Sequence, residues 1–167
     1  MLGYFFDLDG SPLVRKLKEM QQVRIERMKK MVMRLGELGV KNVTFEEVAE
    51  LTKSDSVGRL HLAKLLVAKK VVPSLEAAFV RYLAEGAAAY FPKYEQSPFE
   101  AIRLIKESGG MAVLAHPMLT QRDELIPSFV EAGLDGIEVF YPNCSMTLVD
   151  FYIGIANKHK LLITGGS

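Results

Sequence analysis

A histidine in the position of a working residue stands at the end of a short apolar run. The run extends from Met111 to Ala115, follows a glycine pair, and is succeeded by His116 and Pro117. It is too short for a helix and is typical of a buried strand. Because parallel α/β sheets and barrels gather their chemistry at the C-terminal ends of strands, His116 is a candidate functional residue. The alternative is a histidine that caps the strand by hydrogen bonding.

An arginine and a second histidine mark the start of a helix predicted at residues 58–70. Free backbone N–H groups and the positive end of the helix dipole favour an anion at such a position. Arg59 and His61 lie there, so together they indicate a phosphate-binding site. The alternative is that His61 is an ordinary histidine on a helix surface, and these residues taken alone favour that alternative.

Three further charged residues stand where apolar residues are expected. A helix predicted at 11–38 has an apolar stripe that is interrupted by Arg24 and Arg27, and Glu138 lies within an apolar strand. Because a buried charge must be paired or face a wet cavity, the arginines are candidates for anion binding and Glu138 for a place near the site. The alternatives are pairing of the arginines with nearby glutamates and a structural ion pair for Glu138. The stripe comprises Leu13, Leu17, Met20, Met31, Leu35 and Leu38.

The composition is that of an ordinary soluble globular protein. The chain has 167 residues, of which 49% are hydrophobic and 25% charged, and its net charge of +1 gives no global field for nucleic acid or membrane. The one cysteine, Cys144, has no partner within the chain. It indicates a reducing compartment, so we expect a cytoplasmic protein. No apolar run is long enough to cross a membrane, and the N-terminus lacks the pattern of a secretion signal.

The second half of the chain alternates strands and helices. Strands predicted at 111–115, 136–141 and 161–165 are separated by helices. This order indicates an α/β fold with a parallel sheet, either part of a (β/α) barrel or an open doubly wound sheet. The predicted parts are a barrel strand and turn at 1–10, a mostly helical insertion at 11–94, and a β/α barrel portion at 95–167.

Six short motifs occur in series along the chain. Each is weak alone, but their order and spacing together resemble the PHP (polymerase and histidinol phosphatase) family of metal-dependent phosphoesterases. The branch they resemble most is that of bacterial phosphoesterases that carry a helical insertion and act on nucleotides or short nucleic-acid ends. The motifs are Gly58-Arg59-x-His61-x-Ala63, Tyr82-Leu-Ala-Glu-Gly86, Ala89-Tyr90-x-Pro92, Gly110-x-Ala-Val-Leu-Ala-His116-Pro117, Gly133-Leu-Asp-Gly-Ile-Glu-Val139 and Thr164-Gly-Gly-Ser167.

The resemblance implies a distorted (β/α)7 barrel with up to three divalent metal ions, Mn, Mg, Zn or Fe, at the C-terminal ends of its parallel strands. It implies that His116 is a metal ligand and that Arg59 and His61 contact the substrate phosphate. The implied reaction is hydrolysis of a phosphoester, in a phosphorylated small molecule or a nucleic-acid end, by metal-activated water. Arg24, Arg27 and Glu138 are candidates for supporting positions around this centre.

Both ends of the chain lie inside strand-like runs, at 1–7 and 161–165, so we expect an internal piece of a longer protein. The resemblance places a His-x-His motif before Met1 and an Asp-x-His pair after Ser167. With His116 as the one histidine in the right place, we expect this piece to bind divalent metal poorly and to be inactive, because hard ions take about six ligands. We also expect its unpaired strand edges to drive formation of a homo-oligomer.

Two positions depart from the family pattern. Met118 stands where family members usually have glycine after His-Pro, and Leu60 stands where proline is common.

Two rival functions remain open. One is an amidohydrolase-like barrel that uses metal-bound water on a C–N bond. The other is a non-catalytic binding module in which the helical part recognises a partner. No residue of the chain is assigned as a catalytic acid, base or nucleophile.

Overall fold

The structure is a computed structural model that describes residues 1–52, 56–142 and 144–166. Ser167, which ends one of the six motifs, lies outside the described residues. The strands are β1 (Leu2–Tyr4), β2 (Met111–Leu114), β3 (Gly136–Phe140) and β4 (Leu162–Gly165). The α-helices are α1 (Pro12–Glu37), α2 (Phe45–Glu50), α3 (Arg59–Ala68), α4 (Leu75–Ala78), α5 (Pro98–Glu107), α6 (Pro117–Thr120), α7 (Ile126–Glu131) and α8 (Met146–His159), with a π-helix at Phe79–Leu83 and a 3-10 helix at Asp123–Leu125.

The chain divides into two compact units. Residues 1–16 and 96–167 form the first, which we call the sheet unit, and residues 17–95 form the second, the helical unit. The first turn of α1 belongs to the sheet unit, where the backbone N–H of Leu13 donates to the buried hydroxyl oxygen of Ser108 at 3.0 Å. Because α1 is shared in this way, the helical unit begins several residues after the start of its longest helix.

The sheet has the strand order β1-β2-β3-β4, which makes the described chain a mixed α/β protein. β2, β3 and β4 run parallel, as their alternation with helices predicts, and Ile137 of β3 lies opposite Ile163 of β4. The prediction of parallel strands is wrong for β1, which pairs antiparallel to β2 with Gly3 opposite Ala112. The crossover rule applies to strands joined by a short helical connection, whereas the chain between β1 and β2 contains the whole helical unit.

Helices pack against the central strands of the sheet and bury them. The first four residues of β3 are buried, and its Ile137 and Val139 belong to one apolar cluster with Ile102 of α5. Gly136 permits close approach of β4, because a Cβ built on it would lie 2.9 Å from the backbone oxygen of Leu162. Truncation of Ile137 to alanine would lower the free energy of unfolding by about 2–5 kcal/mol.

The helical unit is built on the second half of α1. Met28, Met31 and Leu35 are buried there and form one cluster with apolar residues of α2 and α3. The predicted apolar stripe is wrong at two of its positions, since Leu17 is 48% exposed and Leu38 is 40% exposed. Leu17 lies between Leu13, which is buried in the apolar cluster of the sheet unit, and the buried part of α1, and Leu38 lies after that part.

Helix ends follow the capping signals in the sequence. Thr44 and Glu47 form the predicted capping box at the start of α2, and Ser97 caps α5. The helix predicted between Ser74 and Gly86 is α-helical only through α4 and continues as the π-helix, a change of hydrogen-bond ladder that capping signals do not report. In the part of the chain that the structure describes, no helix is both long and apolar enough to cross a membrane.

Candidate functional site

His116 occupies a strained position shortly after the end of β2. Its backbone is left-handed, with φ of 45° and ψ of 55°, a conformation that costs a non-glycine residue about 1–3 kcal/mol. It is the N-cap of α6, and Pro117 takes the first position of that helix. Strain of this kind persists only where the surroundings determine the conformation, and a buried carboxylate supplies the necessary contacts.

The carboxylate of Glu138 holds His116 at two points. Its Oε2 accepts a hydrogen bond from the backbone N–H of His116 at 3.1 Å and lies 3.0 Å from Nδ1 of the same residue. The side chain of Glu138 is 3% exposed and that of His116 is 41% exposed, so the carboxylate is sheltered while the imidazole reaches solvent. When Nδ1 carries the proton and donates a hydrogen bond to Glu138, Nε2 keeps a lone pair that a metal ion can bind.

The second carboxylate oxygen of Glu138 is enclosed by the residues at the end of β4. A Cβ built on Gly166 would overlap with Oε1, so a side chain at this position would displace the carboxylate. Thr164 lies opposite Glu138 in the register of β3 and β4 and therefore on the same face of the sheet. Among the described residues, the buried Oγ1 of Thr164 has no hydrogen-bond partner.

Tyr141 lies beside the imidazole. The rings of Tyr141 and His116 meet edge to face, with centroids 5.1 Å apart and an interplanar angle of 87°. Burial raises the pKa of the Tyr141 phenol, and the neighbouring Cys144 thiol adds to the shift. The phenol therefore stays neutral near pH 7 and forms an uncharged wall of the site.

The surroundings of His116 fit one ligand of a metal ion. Histidines that bind metals commonly donate their other ring N–H to a carboxylate, which is the arrangement of His116 and Glu138. The buried Thr164 hydroxyl close by leaves a polar atom for a further partner. A full donor set is not assembled, because residues 1–52, 56–142 and 144–166 contain no group of three or more His, Cys, Asp or Glu side chains that could hold a metal.

Arg59 and His61 both have structural contacts at the start of α3. Nδ1 of His61 accepts a hydrogen bond from the N–H of Gly58 at 3.1 Å and so completes the helix cap. This contact places the proton of the neutral imidazole on Nε2, which is then a donor. One guanidinium nitrogen of Arg59 donates to the carbonyl of Leu83 at 3.0 Å. The capping role gives partial support to the structural alternative for His61, and a phosphate contact by Arg59 and His61 stays a prediction.

Arg24 and Arg27 are held by neutral acceptors. Arg24 donates to the hydroxyl of Ser56, and Nε of Arg27 donates to the carbonyl of Phe91 at 2.6 Å. Loss of water around its guanidinium, together with the like charges of Arg59 and Arg24, lowers the pKa of Arg27. Among the described residues neither Arg24 nor Arg27 forms an ion pair with a carboxylate, so the alternative of glutamate pairing is not what the structure shows.

The structure sorts the predicted site residues into two groups. His116 and Glu138 contact each other within the sheet unit. In the helical unit, the guanidiniums of Arg27 and Arg59 lie 5.7 Å and 5.6 Å from the ring centroid of Tyr90. That Arg59 and His116 face one common site stays a prediction.

Sequence reasoning missed four residues of these groups. Gly166 and Thr164 belong to a motif that the resemblance identified, yet no role could be given to them from the motif alone. The alignment of strands β3 and β4 would have placed Thr164 beside Glu138, had the register been known. Tyr90 likewise belongs to one of the six motifs, and the motif alone gave it no role. Tyr141 gave no signal, because an aromatic residue after a strand is ordinary.

Comparison with known proteins identifies relatives that act on phosphoesters, although no family model matches the chain. The chain is 28% identical over 172 residues to the 3′,5′-nucleoside bisphosphate phosphatase of Chromobacterium violaceum, a match that covers 100% of the chain and 60% of that protein. It is 28% identical over 172 residues to the 5′-3′ exoribonuclease Rnm of Escherichia coli, covering 100% of the chain and 58% of that protein. The phosphoribosyl 1,2-cyclic phosphate 1,2-diphosphodiesterase of Eggerthella lenta is 41% identical over 68 residues, 41% of the chain and 26% of that protein. The chain thus spans about three fifths of the first two relatives.

Two solved structures share the fold of the chain. A protein from Bifidobacterium adolescentis that was assigned as a metal-dependent phosphoesterase has a TM-score of 0.75 and 29% identity, over 99% of this chain and 60% of that one. An amidohydrolase from Chromobacterium violaceum, solved with bound sulfate and no metal, has a TM-score of 0.72 and 29% identity, over 97% of this chain and 59% of that one. The relatives and these structures together confirm the resemblance to the PHP phosphoesterases.

Proposed function

We propose that the protein containing this chain is a PHP-family phosphoesterase that hydrolyses nucleotides or nucleic-acid ends with the help of bound divalent metal. The observation that carries the proposal is the contact of a buried carboxylate, Glu138, with both the backbone and the ring of His116 at the C-terminal ends of parallel strands. Relatives named phosphatase, phosphodiesterase and exoribonuclease support the same class of reaction. The sheet would form part of a distorted (β/α)7 barrel.

His116 would hold a metal ion through Nε2. Glu138 keeps the proton of the imidazole on Nδ1 and is a positioning residue, because it acts through His116 and not on substrate. A bound metal of this kind supplies a hydroxide nucleophile near neutral pH by lowering the pKa of water. The further ligands would be those that the resemblance places before Met1 and after Ser167, and the metal would be Mn, Mg, Zn or Fe.

Arg59 and His61 would contact the phosphate of the substrate. The guanidinium of Arg59 uses one nitrogen for the carbonyl of Leu83, and its other N–H groups form a fork that matches phosphate oxygens. Nε2–H of His61 adds one neutral donor, since its Nδ1 is occupied by the helix cap. These donors would stabilise the charge that develops on the phosphoryl oxygens.

The test of this function is made in the full-length protein with purified variants. His116→Ala should remove at least one equivalent of tightly bound metal and abolish phosphate release from a nucleoside 3′,5′-bisphosphate or a 5′-phosphorylated oligonucleotide. His159→Ala is the matched control, because His159 ends α8 away from these contacts, and it should leave both quantities unchanged. Full activity of His116→Ala would refute the assignment.

A second function is kept because one of the two similar structures is named an amidohydrolase. The same oriented histidine could hold a metal that activates water against a C–N bond. Parallel assays of phosphate release and of ammonia or amine release, with matched nucleotide substrates, separate the two reactions. Amine release without phosphate release would favour the second function.

Self-association of the 167-residue chain stays a prediction. Leu162 and Ile163 of β4 are 51% and 39% exposed, and β4 stands at the edge of the described sheet. Exposed edge strands of this kind pair with other chains. Light scattering of the isolated chain should therefore give a mass above that of a monomer, and a monomer at all concentrations would contradict the expectation. A cytoplasmic location likewise stays a proposal.

A further inference from the structure

A cavity of about 240 Å³ lies within the helical unit. Its volume is below the roughly 300 Å³ at which pockets for drug-sized ligands begin, so it suits a small group. Arg24 and Arg27 of α1 line it together with Lys93. We call it the arginine cavity. Gly58, the N-cap of α3, lies in the same wall, and the helix start adds partial positive charge.

The positive charge of the arginine cavity has no acidic counterpart in its described lining. No Asp or Glu occurs there, and the partners of Arg24 and Arg27 are the Ser56 hydroxyl and the Phe91 carbonyl. Guanidinium groups stay protonated in proteins, so the charges cannot be relieved by loss of a proton. The lowered pKa of Arg27 has loss of water as its main cause and the charges of Arg59 and Arg24 as further causes. A bound anion would relieve this repulsion.

The shape of the donors favours a phosphate over a simple halide. Each arginine offers a planar fork of N–H groups, and each spends one nitrogen on a protein acceptor. The remaining donors suit the several oxygens of a phosphate monoester. Tyr94, which is 40% exposed and also lines the cavity, offers an aromatic face on which a nucleobase can stack.

We propose that the arginine cavity binds a terminal phosphate of a nucleotide and holds it without cleaving it. Among its described lining residues there is no His, Asp, Glu or Cys, so they supply neither the usual metal ligands nor a general base that would activate the Ser56 hydroxyl for hydrolysis. The ligand is thus a phosphate distinct from the one that reacts. The proposal deepens the phosphoesterase function, on which it rests only for the choice of a nucleotide as ligand.

The test measures binding to the 167-residue chain by calorimetry in EDTA, so that no metal centre contributes. Inorganic phosphate and adenosine 5′-monophosphate are the probes, and adenosine is the uncharged comparison. Both phosphates should bind and adenosine should not. Arg24→Gln and Arg27→Gln should each weaken binding of both phosphates at least tenfold, whereas Lys18→Gln, an exposed lysine of the same helix, should change it less than twofold.

Two further arms keep the test decisive. Arg27→Lys retains the charge but not the fork, and should bind with intermediate affinity. If Arg27→Gln loses its helical circular dichroism, Arg24→Gln decides, because Arg24 is exposed and contacts a surface hydroxyl. Wild-type affinity in Arg24→Gln, or absence of phosphate binding to the unaltered chain, would overturn the proposal. Loss of hydrolysis in the full-length protein with binding retained in EDTA would instead count against the phosphoesterase function alone.

Discussion

The two units handle their charged residues in opposite ways. In the sheet unit, the charge of Glu138 is buried and faces a histidine that can share a proton with it. In the helical unit, Arg24 and Arg27 contact a hydroxyl and a carbonyl, and the described residues offer them no carboxylate. The side chains of the first arrangement are already paired with each other before any ligand binds. The positive charges of the second are balanced only when an anion binds.

This difference indicates different tasks. A carboxylate that fixes both the backbone and the ring of His116 determines which nitrogen faces a ligand, which is what metal coordination requires. The guanidiniums of Arg24 and Arg27 have no carboxylate partner among the described residues and keep N–H donors for phosphate oxygens, which is sufficient for binding. Removing the pairing in one unit should therefore change metal binding, and removing charge in the other should change phosphate binding.

The largest effect should come from the pairing residue itself. Glu138→Ala removes both contacts to His116, and Glu138→Gln keeps the shape but removes the charge. Because loss of a residue that orients a metal ligand typically weakens metal affinity about 10–100-fold, we expect the alanine variant at the upper end and the glutamine variant at the lower. Manganese titration of the full-length protein measures this. Glu131→Gln, an exposed residue of α7, is the control. Unchanged affinity in Glu138→Ala would show that the carboxylate does not orient His116 for metal binding.

The next effect should come from the glycine that encloses the carboxylate. Gly166→Ala places a Cβ in overlap with Oε1 of Glu138, so the carboxylate must move, and we expect its Oε2 contacts with His116 to weaken. We expect a smaller loss of manganese affinity than in Glu138→Ala, seen by the same titration. Gly154→Ala in α8 has nothing within 4 Å of its Cβ and should be neutral or stabilising by about 0.5–1 kcal/mol. Equal metal binding by the two alanine variants would show that the enclosure is not needed.

Local signals account for the parts of the structure that the sequence predicted well. Thr44 with Glu47 and the serine before Pro98 are capping patterns that act within one turn, so the starts of α2 and α5 are where they were expected. The parallel strands β2, β3 and β4 followed from their alternation with helices. The position of His116 just beyond a strand end followed from the same pattern.

Contacts between distant segments account for the parts that could not be predicted. The antiparallel pairing of β1 and the bond between Glu138 and His116 depend on how strands align across the sheet, which periodicity does not report. The exposure of Leu17 and Leu38 depends on which part of α1 other helices cover. Arg27 donates to the carbonyl of Phe91, which is 64 residues away along the chain. No local pattern in the sequence indicates that contact, so pairing with a glutamate stayed open as an alternative.

A smaller effect should separate the two tasks of His61. His61→Ala removes the acceptor for the Gly58 N–H, and we expect the free energy of unfolding to fall by about 0.5–1.5 kcal/mol. His61→Gln supplies an acceptor at the same helix position and should recover most of that loss. Urea unfolding followed by circular dichroism measures both. If His61 also contacts phosphate, His61→Gln should fold well yet bind inorganic phosphate more weakly than the unaltered chain does. Equal phosphate affinity of His61→Gln and the unaltered chain would show that His61 only caps the helix.

The smallest effect should appear only in alkali, in the sheet unit. Burial raises the pKa of Tyr152, and its hydrogen bond to Asp123 at 3.2 Å adds to the shift. The unfolded chain loses this proton near pH 10, whereas the folded chain keeps it to higher pH. The contribution of Tyr152 to stability is therefore fully present below about pH 10 and falls as the pH rises further.

Tyr152→Phe cannot lose a proton, so its free energy of unfolding should decline less between pH 9 and 11 than that of the unaltered chain. Tyr141 should account for part of the remaining decline, because its pKa is raised as well. Urea unfolding at stepped pH measures the two slopes, and identical slopes would show that the Tyr152 phenol does not titrate differently in the folded and unfolded chains.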